Sequence, residues 1–310
     1  MIDKRAYRHL YPFRSHYANI GGFRYHYLDE GTGEPVVMLH GNPTWSFYYR
    51  HLVRKLAPTC RTIVPDHIGC GYSEKPPADR YPYQLARRVT DLELLLDKLG
   101  IDRDVTLIVH DWGGMIGLVW ALRHLDQLKR LVITNTAGFL PPGGKPLPCR
   151  LKLIRNLSAF GAPAVIYGNL FARAALFMAP RRRLARDVRR GLVAPYDSPS
   201  NRIATLKFVQ DIPLGPRDPS YDLVASVDAD LTRLASIPML ILWGLHDFVF
   251  DRDYLAEWQR RFPQAEVHTF ATAGHYLLED EPQAVSAIVR QFFQSHSVAP
   301  VRSQGVPRNA

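Results

Sequence analysis

Val109-His110-Asp111-Trp112-Gly113-Gly114 is the stretch on which the fold turns. Upstream of it, Asp104 to His110 is an apolar run without alternation, the pattern of a strand buried on both faces. Downstream, Met115 to His124 carries apolar residues at helical spacing. A buried strand that enters a helix through a glycine-flanked turn is the setting of a nucleophile elbow. There one residue is held in a strained conformation with its side chain above the sheet. That residue is Asp111. Locally, an Asp at a helix start is equally an N-cap, because its carboxylate accepts backbone N–H bonds. The rest of the chain decides between the two.

Working outward, the same kind of buried run recurs at Pro35 to His40, Thr62 to Asp66, Leu131 to Thr134 and Met239 to Trp243. Gly21 to Leu28 alternates aromatic and polar residues, which predicts an antiparallel edge strand. Helical patterns lie between the runs at Tyr48–Leu56, Leu85–Leu99, Met115–His124 and Asp253–Phe262. Gly100 closes the second of these as a C-terminal cap. A last helix is expected over Glu281 to His296, with an acidic first turn and Pro282 near its start. Strand alternating with helix implies an α/β fold, a mostly parallel sheet with helices on both faces. The rhythm breaks at residues 138–235, which open with Pro141-Pro142-Gly143-Gly144 and continue as short helical patterns without a buried strand. The expected division is a core over 1–137 and 236–296, a helical cap over 138–235 and a loose tail over 297–310.

The motifs along this frame resemble the α/β-hydrolase superfamily in its aspartate-nucleophile branch, over residues 15 to 295. His40-Gly41-Asn42-Pro43-Thr44-Trp45 resembles the oxyanion-hole loop, and Asp66-His67-Ile68-Gly69-Cys70-Gly71 the turn after the next strand. His110-Asp111-Trp112-Gly113-Gly114 matches the elbow. Trp243-Gly244-Leu245-His246-Asp247 resembles the loop that carries the acid, and Gly274-His275 the loop that carries the base. The order is nucleophile, acid, histidine. No acid follows Leu131–Thr134, where Asn135-Thr136 stands, so relatives with the acid there are disfavoured. Asp251 and Asp253 lie close to Asp247, but motif position selects Asp247.

The resemblance implies a definite chemistry. A carboxylate is ionised at neutral pH, its unperturbed pKa being about 4, so Asp111 needs no base for the first attack. It would form an ester or mixed anhydride open to water. His275 would activate that water, and Asp247 would fix the imidazole tautomer. The backbone N–H groups of Trp112 and Asn42 would form the oxyanion hole. The Asn42 amide and the Trp112 indole would grip a departing anion, as the residues at these positions do in haloalkane dehalogenases.

Three enzyme readings stay open within the branch. A haloalkane dehalogenase would displace halide through Asp111. A β-lactone decarboxylase of long-chain olefin biosynthesis would turn a cis-3,4-dialkyl β-lactone into cis-alkene and CO2. An epoxide hydrolase would need cap tyrosines, for which Tyr167, Tyr196 and Tyr221 are available. The decarboxylase is favoured, because Thr134-Asn135-Thr136-Ala137 and the cap segments Val193-Ala194-Pro195-Tyr196-Asp197 and Phe208-Val209-Gln210-Asp211-Ile212-Pro213-Leu214 resemble that group. An apolar cap (Leu153, Ile154, Phe160, Phe171, Leu176, Phe177) suits a small hydrophobic substrate with two alkyl chains. The resemblance also implies assembly with a β-lactone synthetase and other olefin-pathway enzymes. A hydrolase fold kept only as a binding protein is disfavoured, since nucleophile, acid and base are all present.

Composition narrows the rest. Hydrophobic residues make up 46% and charged residues 22%, ordinary for a globular enzyme. The formal charge of +10 includes six arginines between Arg181 and Arg190. No nucleic-acid motif accompanies them, so the readings are a solvated helix face, a peripheral membrane contact or an acidic partner. Cys60, Cys70 and Cys149 show no metal or disulfide spacing, which fits reduced thiols in the cytoplasm. No cofactor or metal is expected. Met1 to Arg5 lacks a secretory apolar region, and the apolar stretch Leu170–Pro180 is interrupted by Arg173.

Overall fold

In the computed structural model, which describes residues 5–156 and 161–296, an eight-stranded sheet is ordered β1-β2-β4-β3-β5-β6-β7-β8. The strands are β1 (His16–Ile20), β2 (Phe23–Glu30), β3 (Glu34–Leu39), β4 (Cys60–Pro65), β5 (Val105–His110), β6 (Leu128–Thr134), β7 (Met239–Gly244) and β8 (Glu266–Phe270). Strands β3 to β8 pair in parallel, and β1/β2 and β2/β4 pair antiparallel. The run expected as an edge strand, β2, is one place in from the edge. The edge is β1, joined to β2 through Gly21 and Gly22 at φ 55° and 89°, the left-handed pair that a two-residue hairpin turn requires.

The unalternating runs behave as strands covered on both sides: every residue of β5 and of β7 is buried. Their side chains still divide between two apolar cores. Val37, Leu39, Leu107 and Val109 face one side, under α2 (Leu85–Lys98), α3 (Trp112–Arg123) and α10 (Arg252–Arg261). Val36, Met38, Ile108 and Leu242 face the other, under α1 (Arg50–Leu56) and α12 (Pro282–Ser295). The helix α2 ends where Gly100 takes φ 63°. The acidic residues expected in the first turn of α12 lie just before it, in α11 (Leu277–Asp280) and at Glu281.

Between β6 and β7 the described residues contain no strand. They form α4 (Cys149–Asn156), α5 (Gly161–Ile166), α6 (Leu170–Met178), α7 (Arg186–Val193), α8 (Ile203–Gln210) and α9 (Tyr221–Asp230). Among the described residues no helix is long and apolar enough to cross a membrane. The expected tail over 297–310 and Phe160 lie outside the described residues.

Candidate active site

The parallel strands point their carboxyl ends at one rim, and the loops after β3, β5, β6, β7 and β8 meet there. After β5 the chain turns so sharply that Asp111 sits at φ 50°, ψ −129°. Its N–H donates to the Asn135 carbonyl at 3.2 Å, and its carbonyl accepts from the Thr136 hydroxyl at 2.5 Å and the Gly114 N–H at 2.9 Å. The turn closes only because two neighbours lack side chains. A Cβ on Gly113 would lie 1.9 Å from the Leu39 carbonyl oxygen, and one on Gly41 would lie 2.0 Å from Asp111 Oδ1.

The Asp111 carboxylate is buried and aimed into a cavity. Oδ1 accepts the Asn42 N–H at 2.7 Å, and the Trp112 N–H also favours the anion. Burial is the larger influence and holds this carboxyl above the ordinary carboxylate range; the His275 imidazole and the two N–H groups offset it only in part.

His275 stands in the loop after β8 with Nε2 at 3.6 Å from Asp111 Oδ2 and Nδ1 at 2.7 Å from Asp247 Oδ2. Burial pushes its pKa down, but the Asp247 carboxylate, reinforced by Asp111, outweighs burial and leaves the imidazole above its usual value. The loop is pinned from below by His110 at the end of β5, whose Nε2 bonds the His275 carbonyl at 2.8 Å. Burial holds His110 well below the usual imidazole range, which leaves it neutral.

Asp247 leaves the end of β7 and is fully used. Oδ1 accepts the Val249 and Phe250 N–H groups at 2.7 and 3.1 Å, and Oδ2 accepts Asn135 Nδ2 at 3.0 Å besides the imidazole. The neighbouring acids do other work: Asp251 caps α10, and both Asp251 and Asp253 bind Lys145. Asn135, read from sequence only as a missing acid, is a positioning residue. Its amide oxygen accepts the Gly244 N–H at 2.9 Å and its nitrogen reaches Asp247, locking the ends of β6 and β7 together. Its signal in the sequence was its place at a strand end on the same rim.

The two expected anion-gripping side chains differ. The Trp112 indole lines the cavity against Phe208, and its N–H has no partner among the described residues. The Asn42 amide nitrogen also lines it but donates to the Thr205 carbonyl of α8 at 3.0 Å, which commits one of its hydrogens.

The cavity has a volume of about 400 Å³. Leu153, Ile154 and Phe171 line it as expected; Leu176 instead packs into the core beside α1, and Phe177 points outward, 67% exposed. None of the three tyrosines proposed for ring protonation lines it. Tyr196 is buried with its hydroxyl on the Thr44 carbonyl, Tyr167 is exposed, and Tyr221 lies at the start of α9 outside the cavity. A helical residue's face is set by distant packing, which spacing alone does not reveal. The hydroxyl-bearing residues that do line the cavity are Tyr254 and Tyr276, and sequence reading passed over both.

Comparison with known proteins agrees with this architecture. Residues 34–282 match the family model for the alpha/beta hydrolase fold. The chain belongs to the α/β-hydrolase family. Within it, the chain is 49% identical to a cis-3-alkyl-4-alkyloxetan-2-one decarboxylase of Shewanella oneidensis over 91% of this chain and 89% of that one. It is 47% identical to the enzyme of the same name from Xanthomonas campestris, over 88% and 93%. Haloalkane dehalogenase 2 of Mycobacterium tuberculosis is 29% identical over 94% of this chain and 99% of its own. Among solved structures, haloalkane dehalogenase DbeA from Bradyrhizobium elkani superposes with a TM-score of 0.82 at 23% identity, covering 92% and 98%, a likeness of fold. In this α/β-hydrolase the elbow after β5, the acid after β7 and the histidine after β8 follow the family's chain order.

Proposed function

We propose that the protein is a β-lactone decarboxylase that converts a cis-3-alkyl-4-alkyloxetan-2-one into a cis-alkene and CO2. The observation that carries this reading is the identity of 49% and 47% with two decarboxylases along nine-tenths of the chain, cap included, against 29% with the dehalogenase. The site supports it: one carboxylate at the floor of an apolar cavity, flanked by an imidazole and an indole N–H that has no partner among the described residues. We read residues 138–235 as a cap that supplies the apolar walls.

The economical course uses Asp111 as nucleophile and then as leaving group. Its oxygen attacks C4 of the ring, the C4–O bond breaks, and the ring oxygen leaves as part of a new carboxylate that the Trp112 indole receives. Loss of CO2 then sends the C2–C3 bonding pair into a C3=C4 double bond as the Asp111–C4 bond breaks. Inversion at C4 followed by anti elimination turns a cis lactone into a cis alkene. No water is consumed. His275, held by Asp247, stabilises the departing Asp111 carboxylate through its raised basicity, as do the N–H groups of Asn42 and Trp112. On a haloalkane the same attack would end in a stable ester, which requires His275 to activate water; that is how the dehalogenase relatives favour a second activity.

The test offers the purified protein a cis-β-lactone and, separately, a 1-bromoalkane, in water labelled with 18O. Alkene with unlabelled CO2 from a rapid quench is expected, and Asp111→Asn should lower the rate by at least about 10⁴-fold. Bromide release without alkene overturns the substrate assignment. Labelled CO2 at zero exchange overturns attack at C4, and full activity in Asp111→Asn overturns the nucleophile.

A further inference from the structure

The excess positive charge of this chain is confined to one part of it. Between Lys145 and Arg190 there are eleven lysines and arginines and one acid, Asp187, a surplus equal to the +10 of the whole chain; the remaining residues are balanced. This segment forms α4 to α7. Asp187 is already paired with His9. Lys152, Arg173, Arg183, Arg186 and Arg190 are exposed and make no ion pair among the described residues.

The same helices expose large apolar side chains. Phe177 is 67% exposed, and Leu170 and Leu153 are each 54% exposed. Helix α6 has two faces: Phe171, Ala174 and Met178 line the cavity, while Arg173 and Phe177 point away from it. Leu153 and Leu170 do both, lining the cavity and meeting the outside, which puts them at its rim. The Arg189 guanidinium lies 5.9 Å from the Phe177 ring, so the basic band of α7 reaches the exposed outer face of α6, the helix whose first residue, Leu170, stands at the rim. Isolated exposed apolar residues are common; a set of them at the mouth of an apolar cavity, bordered by charge of one sign, marks an interaction surface.

We propose that this face of α4 to α7 docks on an anionic phospholipid surface. The arginines meet headgroups, and Phe177, Leu170 and Leu153 enter the acyl boundary. A protein partner seated on the rim would close the cavity, whereas lipid leaves its mouth open to a dissolved apolar substrate. Resting on the proposed function, the arrangement lets a dialkyl lactone pass from lipid to Asp111 without crossing water.

Flotation of the full chain with vesicles tests this without substrate, so its failure is separate from failure of the catalytic reading. Binding is expected to phosphatidylcholine vesicles containing phosphatidylglycerol, not to phosphatidylcholine alone, and should weaken steeply with salt. Arg183→Glu/Arg186→Glu/Arg190→Glu should weaken it by about a hundredfold or more, from roughly fivefold per basic residue lost. Phe177→Ser should weaken it too. Both variants should keep native activity on a short-chain, water-soluble β-lactone. If the triple variant does not fold, the salt titration of the native chain decides. Equal binding to neutral and anionic vesicles, binding to neither, or binding only to an acidic protein overturns the proposal.

Discussion

Asp111 is held in an environment that works against its own charge. Burial lifts its pKa, so folding binds the proton more tightly than the unfolded chain does. The sign follows from linkage: stability from this group is complete below the unfolded pKa of about 4 and is lost as pH rises through the folded value. At neutral pH the ionised Asp111 carboxylate therefore costs stability. Asp111→Asn keeps an oxygen for the Asn42 N–H and removes the charge, so it should raise the melting temperature at pH 7 while abolishing turnover. The gain should shrink as pH falls through the raised folded value and be gone below about 4, where the carboxyl is neutral in both states. Thermal melts across pH check this; a lower melting temperature for the variant at pH 7 would mean that His275 and the N–H groups more than repay burial. For the same reason the acid limb of the activity profile should lie above the ordinary carboxylate range.

At the scale of elements, the site depends on how closely α3 approaches β3. Gly113 packs on the backbone of β3 and Gly41 on the Asp111 carboxylate, so a methyl at each position tests a different thing. Gly113→Ala should destabilise the protein by about 2–3 kcal/mol, because the Leu39 carbonyl it meets is sheet backbone. Gly41→Ala should cost activity first, since the atom it meets is Asp111 Oδ1. Urea unfolding and alkene formation measured on both variants would read the two effects, and an equal loss of stability in both would refute the division. The Gly113 constraint was legible in the chain because it is local, a small residue in fixed order after the turn, and buried strands announce themselves as apolar runs; the Gly41 constraint was not, because it joins two separate loops. Asp247 and His275 were legible through their motifs. What stayed hidden depends on distant packing. His16–Ile20 is short and only partly buried, so β1 carries no strong pattern. Asn135 matters because β7 lies beside β6, and Tyr254 and Tyr276, not the expected tyrosines, line the cavity because of how separate elements pack around it.

For the molecule as a whole, the described residues of 138–235 share their apolar clusters with the sheet. Phe208, Val224, Val227 and Leu231 belong to the same apolar cluster as Leu107, Val109 and Trp243 of the sheet. Buried hydrogen bonds stitch the two parts together: Trp45 Nε1 donates to the Gly191 carbonyl at 3.1 Å and Asn42 Nδ2 to the Thr205 carbonyl at 3.0 Å. The Arg88 guanidinium lies 3.5 Å from the centre of the Phe208 ring, and the Arg181 and Arg182 N–H groups donate to Asp280. Lifting the helices between β6 and β7 would strand buried donors and expose apolar residues of the shared core, which argues that the two parts unfold together. Chains of this size often unfold through intermediates. Here the shared core argues for one transition, with far-ultraviolet dichroism and tryptophan fluorescence melting together and the calorimetric enthalpy equal to the van't Hoff value. Two resolved transitions would show that the helices over the cavity melt first, and would make substrate entry a matter of their opening rather than of a fixed mouth.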